Sequence, residues 1–179
     1  MRSPLLGALA AALLAATPMA AADPLSERTE MRSNPQPLAE GTNRAFSHTV
    51  ATQHPEAVWR LWTTPASWGQ WDQGLTSASL DGEMRVGAVG EIIPRQGNAS
   101  RFTVTAFEEG RSYTFETQLP LAILRVQRAF NGDRSAFTHT VTFEGAAAGP
   151  LAAMLGPGFR RALPPTMAAL NRLAAEGEP

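Results

Sequence analysis

The spacing of apolar residues divides the chain into a short alternating segment, a tryptophan-rich helical stretch, a long run of strand candidates and a final helix. Phe46, His48 and Val50 alternate with Ala45, Ser47 and Thr49, the period-2 signature of a strand. Pro55-Glu56 then opens a helix, since proline suits the first helical position and an acid suits the positive end of the helix dipole. Val58, Trp59 and Trp62 recur at helical spacing and share one face. Pro65 stops this helix or forces a new turn, and a second short helical piece carries Trp68 and Trp71 on one side.

From Leu75 to Glu144 turn signals such as Asp81-Gly82, Gln96-Gly97-Asn98, Glu109-Gly110 and Asn131-Gly132-Asp133 punctuate the sequence. They separate six strand candidates: Leu75–Leu80, Val89–Pro94, Arg101–Phe107, Ser112–Gln118, Leu124–Phe130 and Phe137–Glu144. Nothing between them is long enough for a parallel crossover, so they form an antiparallel meander. Leu151, Leu155, Phe159, Leu163, Met167, Leu170 and Leu173 then step by threes and fours along a C-terminal helix. Gly156-Pro157-Gly158 and Pro164-Pro165 are expected to kink or restart it. The expected fold class is α+β: a curled antiparallel sheet of about seven strands around the long C-terminal helix, with two short helices after strand 1.

The N-terminus reads differently. Arg2 precedes an almost wholly apolar run from Leu5 to Ala16, and Ala20-Ala21-Ala22 before Asp23 has the small-x-small form of a cleavage site. Residues 1–22 therefore read as a secretory signal, because the apolar run is well short of the roughly 20 residues a bilayer span needs. Export to the periplasm or beyond is expected, with no membrane span after cleavage. Residues 23–43 are polar, without an apolar period, and read as a flexible arm ahead of one ligand-binding domain at 44–177.

Composition narrows the function. The 179-residue chain contains no cysteine, so no disulfide is available and the domain must rest on its own core. Fifteen basic residues against 16 acidic ones give a net charge of −1, which is no footprint for nucleic-acid phosphates. The three histidines, His48, His54 and His139, show no metal-ligand spacing, and neither a nucleophile elbow nor a phosphate-cradling glycine loop occurs. No metal and no cofactor is expected.

The runs PEAVWRLWTTPASWGQWD, LDGEMRVGAVG, FTVTAFEEGRSYTF and FTHTVTFEGAAAGPLAAML follow one another within residues 44–175. In this order they resemble the START-like, helix-grip superfamily called SRPBCC, with the nearest likeness to its polyketide cyclase/dehydrase and lipid-transport group. The matching pieces are Val58-Trp59, Trp68-Gly69-Gln70-Trp71, and the strand from Thr138 to Gly145. The resemblance implies a deep, mainly apolar cavity between the sheet and the last helix, holding a lipid, sterol, polyketide or hormone, with chemistry in only some members. It also implies a lid or rim role for Trp68 and Trp71, whereas Trp59 and Trp62 close the core. No branch-specific catalytic signature is present.

Strand parity selects the polar groups that face this cavity. His139 shares its face with Phe137, Val141 and Phe143. Two readings are open: a neutral imidazole that hydrogen-bonds a ligand or acts as a general base, or a satisfied core histidine. Arg128 lies in phase with Leu124, Val126 and Phe130, so it faces a ligand unless a bulge reverses the parity or the strand end is solvated. His48 lies in phase with Phe46 and Val50, and Tyr113 and Phe115 point inward while Glu116 and Gln118 point out. Asp72 caps the second helical piece or lines the cavity mouth. The expected ligand-binding set is thus His48, Trp68, Trp71, Tyr113, Phe115, Val126, Arg128, His139 and Val141.

The expected function is an exported binding protein for a hydrophobic small molecule, such as a lipid, isoprenoid or aromatic compound. One alternative is a polyketide cyclase or dehydratase in which the candidate catalytic residues His139 and Arg128 polarise a carbonyl and move protons. A second is an envelope protein whose cavity is filled by its own side chains and which acts through a partner surface.

Overall fold

The alternating segment becomes β1 (Ala45–Ala51) in a computed structural model that describes residues 44–177. The expected signal at 1–22 and the expected arm at 23–43 lie outside the described residues. Pro55 occupies the first turn of α1 (Pro55–Thr63), which buries Ala57, Val58 and Trp62. A single 3₁₀ turn at Pro65–Ser67 redirects the chain, and the Ser67 hydroxyl fixes it by donating to the carbonyls of Leu61 (2.9 Å) and Thr64 (2.8 Å). The short helix α2 (Trp68–Trp71) follows, with both tryptophans buried.

Six strands come next: β2 (Leu75–Leu80), β3 (Val89–Pro94), β4 (Ser100–Glu108), β5 (Ser112–Leu119), β6 (Ala122–Phe130) and β7 (Ala136–Glu144). With β1 they form one seven-stranded sheet in the order β1-β7-β6-β5-β4-β3-β2. Every pairing is antiparallel, and β5, β6 and β7 pair without a break in register. On the outer face Arg125 bridges Glu116 (2.8 Å) and Glu144, tying the three strands together on the side away from the core.

The last element is α3 (Ala148–Glu176), 29 residues long. Gly145, at φ +98° and with its Cα facing the Leu121 carbonyl, supplies the tight turn that swings the chain from β7 into this helix. The expected restart at the prolines does not occur, since one helix runs through Pro157, Pro164 and Pro165. An interior proline costs about 3 kcal/mol in a free helix. Here the apolar stripe of Phe159, Leu163, Met167 and Leu170 is buried against the sheet and outweighs that cost. No helix of the described residues is long and apolar enough to cross a membrane.

Aromatic rings fill most of the space under the helix. Trp62 meets Phe137 edge-on at 5.4 Å, while the half-buried Trp59 packs on Phe107 at 5.7 Å. Phe46 stacks on Phe159 of α3 and fills the notch left by Gly156, where a Cβ would stand 2.1 Å from the ring.

Candidate functional site

The inner face of β5, β6 and β7 leaves a cavity beneath α3. From the sheet Phe115, Thr117, Leu124, Val126, Arg128, His139 and Val141 reach it. Trp68, Asp72, Leu75 and Ile92 close one side, and Phe159, Ala162, Leu163 and Thr166 of α3 close the other. The enclosed space measures about 70 Å³, and about 590 Å³ once the void continuous with solvent is counted. The smaller figure is what a bound molecule meets without any movement of the walls.

Arg128 dominates the electrostatics of this space. It is 2 % exposed, and the unbroken register of β6 with both neighbours excludes the bulge that would have turned it outward. Its guanidinium carbon lies 4.3 Å from the Trp68 ring centroid and 4.8 Å from that of Trp71. Such ring faces attract a cation, worth about 2 kcal/mol when desolvated. Its Nη1 donates to the Tyr113 hydroxyl, which in turn donates to the Trp62 carbonyl at 2.8 Å. Among the described residues no carboxylate lies within salt-bridge distance of the guanidinium. Its Nε is sealed from solvent without a hydrogen-bond partner, and so is Trp71 Nε1.

Three titratable groups feel this charge. Burial pushes the Tyr113 phenol up to about 12, opposed by the neighbouring cation. Burial pulls His139 well below its ordinary value, and the Arg128 charge pulls it further, so its imidazole is neutral at physiological pH. His139 is paired directly with Arg128 across β6 and β7. Asp72 closes α2 through its N–H to the Trp68 carbonyl (2.8 Å) and accepts the Gly74 N–H (2.9 Å) through Oδ1. Burial raises its carboxyl above the usual range, against the lowering effects of the Gly74 bond and of Arg128. It therefore both caps the helix and faces the cavity.

Six residues singled out from the sequence line this cavity: Trp68, Phe115, Val126, Arg128, His139 and Val141. Three do not. Tyr113 is spent on Trp62 and Arg128, so it positions the guanidinium from behind. Trp71 lies beside Arg128, and at 1 % exposure it is no rim; Trp68, at 0 %, is an inner wall and not a lid. His48 pairs with His139 but sits on edge strand β1, where α3 packs directly and Asn171 donates to the Ala51 carbonyl (3.3 Å), so the cavity ends at β7. Thr117 and Leu124 continue the inward parity of Phe115 and Val126, and Phe159 and Leu163 lie on the apolar stripe of the last helix, so the sequence held a signal for each. Ile92 and Thr166 carried none. Among the described residues no cluster of three or more His, Cys, Asp or Glu side chains is placed to hold a metal ion.

A seven-stranded antiparallel half-barrel closed on a long C-terminal helix, with two short helices after the first strand, is the helix-grip fold. The family described as polyketide cyclase / dehydrase and lipid transport matches residues 21–178, and the chain belongs to it. A search of curated proteins finds no match. Among solved structures the chain is similar to a protein of Helicobacter pylori at 11 % identity and a TM-score of 0.60, over 83 % of this chain and 99 % of that one. It is similar to a protein of Nitrosomonas europaea at 12 % and 0.59, over 76 % and 97 %. Norcoclaurine synthase of Thalictrum flavum, in complex with dopamine and hydroxybenzaldehyde, aligns at 9 % and 0.52, over 76 % and 88 %. Likeness at such identities establishes the shared fold alone.

Proposed function

We propose that this protein is an exported carrier or sensor that holds a hydrophobic small molecule between the sheet and α3. The observation that carries the reading is Arg128, a buried cation that no carboxylate pairs among the described residues, facing a mainly apolar cavity. A charge buried in this way costs several kcal/mol, and a domain built only for stability would replace it with an apolar residue. Apolar walls with a few convergent polar groups are the usual construction of a ligand site. Export rests on the N-terminal leader pattern.

The cavity volume favours a rival reading, in which the interior is filled and the protein acts through a partner surface. About 70 Å³ is small against the roughly 300–1,000 Å³ of typical ligand pockets. That reading gives no reason for the burial of Arg128. The wall residues of α3 also lie between or beside Pro157 and Pro164-Pro165, where three backbone N–H groups are missing from the helix ladder. Outward movement of this stretch breaks fewer hydrogen bonds than in an uninterrupted helix, which gives a larger ligand a way in. The enzyme reading is weaker, because an imidazole held so far below its ordinary value is a poor general base.

The test is organic extraction of the protein purified from its native host, followed by mass spectrometry. Recovery of the same apolar compound from repeated preparations is the expected result. Repeated recovery of nothing, together with silence towards a panel of lipids and aromatics, would overturn the proposal.

A further inference from the structure

Resting on the binding reading above, we propose that the cavity selects a monocarboxylic acid, receiving the carboxylate of an apolar-bodied molecule on the free edge of Arg128. A guanidinium offers its donors as a fork, and Tyr113 occupies only Nη1. Neither Nε nor Nη2 donates to any described residue. These two N–H groups run parallel along one edge of the group, the geometry that matches the two oxygens of a carboxylate. Trp68 and Trp71 flank the guanidinium at 4.3 and 4.8 Å and leave it little freedom to lose, and the covered Nε is reached once the cavity walls part around a ligand.

The charge count points to a monoanion. Among the described residues Arg128 is the one cation lining the cavity, because the His139 opposite it is neutral. A water molecule would satisfy the free N–H groups but not the charge. Asp72 shares the cavity without reaching salt-bridge distance, and burial raises its carboxyl, which weakens without abolishing its opposition to an incoming acid. The walls beyond Arg128, among them Phe115, Val126, Val141 and Leu163, offer mainly apolar contact to the rest of the ligand. A phosphate head, with more charge, finds no second cation among the described lining residues.

Aromatic and aliphatic acids share this chemistry, and paired probes separate them. Calorimetric titration at pH 7 of the purified full-length protein compares 2-naphthoate with 2-naphthamide, and decanoate with decanamide. Each pair has nearly one shape and differs in charge. The acid is expected to bind about tenfold tighter than its amide in at least one pair, as a charge-assisted bond exceeds a neutral one. The Arg128→Gln variant, checked for folding by circular dichroism, should bring that ratio towards one, and Asp72→Asn should raise it. Amides binding as tightly as acids in both pairs would overturn the acid assignment while leaving the binding reading intact. If no probe binds at all, both fall together. The wild-type comparison decides the matter even if the Arg128 variant does not fold.

Discussion

Arg128 lies over Trp68, with its guanidinium carbon 4.3 Å from the ring centroid and no carboxylate within salt-bridge distance among the described residues. Under the proposed binding role the arrangement serves ligand capture at the expense of stability. Replacing Arg128 with Met keeps an unbranched but shorter side chain, removes the buried charge and leaves Tyr113 bonded to the Trp62 carbonyl. The denaturation midpoint of Arg128→Met should therefore be unchanged or higher, by about 1–2 kcal/mol. A loss of about 3 kcal/mol or more by urea unfolding would contradict this account of the residue.

Tyr113→Phe should behave in the opposite way. The Trp62 carbonyl would still accept the Trp68 indole N–H at 2.9 Å, but Arg128 would lose the one hydrogen-bond acceptor it has among the described residues. A buried charged donor left without its acceptor costs about 1–3 kcal/mol. The same urea experiment should place Tyr113→Phe below both the wild type and Arg128→Met. Equal midpoints for the two variants would show that the hydroxyl does not support the guanidinium.

His139 predicts a pH dependence. Its folded value is lowered by burial first and by Arg128 second, so below pH 6.5 the unfolded chain binds a proton that the folded chain refuses. Stability from this group is complete above 6.5 and falls with pH at up to about 1.4 kcal/mol per unit until the folded value is reached. Asp72 acts in the other sense, because its raised value makes the fold more stable as the pH falls towards 3.8. Comparing wild type with His139→Gln between pH 7.5 and 5 cancels the Asp72 contribution. The variant should show the flatter melting-temperature profile, and parallel profiles would count against a buried, neutral His139.

Gly156→Ala tests the packing of α3 on β1. In an unconstrained helix this change stabilises by about 1 kcal/mol. Here the new methyl would stand 2.1 Å from the Phe46 ring, which is itself 4 % exposed and held by Phe143 and Phe159. The expected outcome is a loss of about 1–3 kcal/mol, partly recovered in the double variant with Phe46→Leu. A gain in thermal stability for Gly156→Ala alone would mean that the helix sits further from the sheet.

The fold was legible in the sequence because its signals are local and repeated. Each strand from β2 to β7 begins within two residues of its alternating segment, and Pro55 marks the start of α1. The unbroken course of α3 was not legible, because proline signals a local break and the burial that overrides it is a property of the whole sheet. At the site, parity placed Arg128, His139 and Val141 correctly on the inner face, since a sheet of unbroken register transmits a period-2 pattern without error. Parity gave no information on depth. It could not show that Tyr113 is consumed behind Arg128, that Trp71 is sealed beside it, or that α3 covers the His48 side of the sheet. Those depend on contacts such as Tyr113 with Trp62, 51 residues apart in the chain.

The central claim, an apolar molecule seated beside Arg128, is tested most directly by the indole region of a ¹H–¹⁵N spectrum recorded during titration with 2-naphthoate. The chain has four tryptophans and so four indole cross-peaks. Trp68 lines the cavity and Trp71 adjoins Arg128, whereas Trp59 neither lines the cavity nor stacks on Arg128 and packs on Phe107, Phe130 and Tyr113. The Trp68 and Trp71 peaks should move together and saturate while the Trp59 peak stays in place. Four unmoved peaks at saturating probe, or movement of Trp59 alone, would contradict the account.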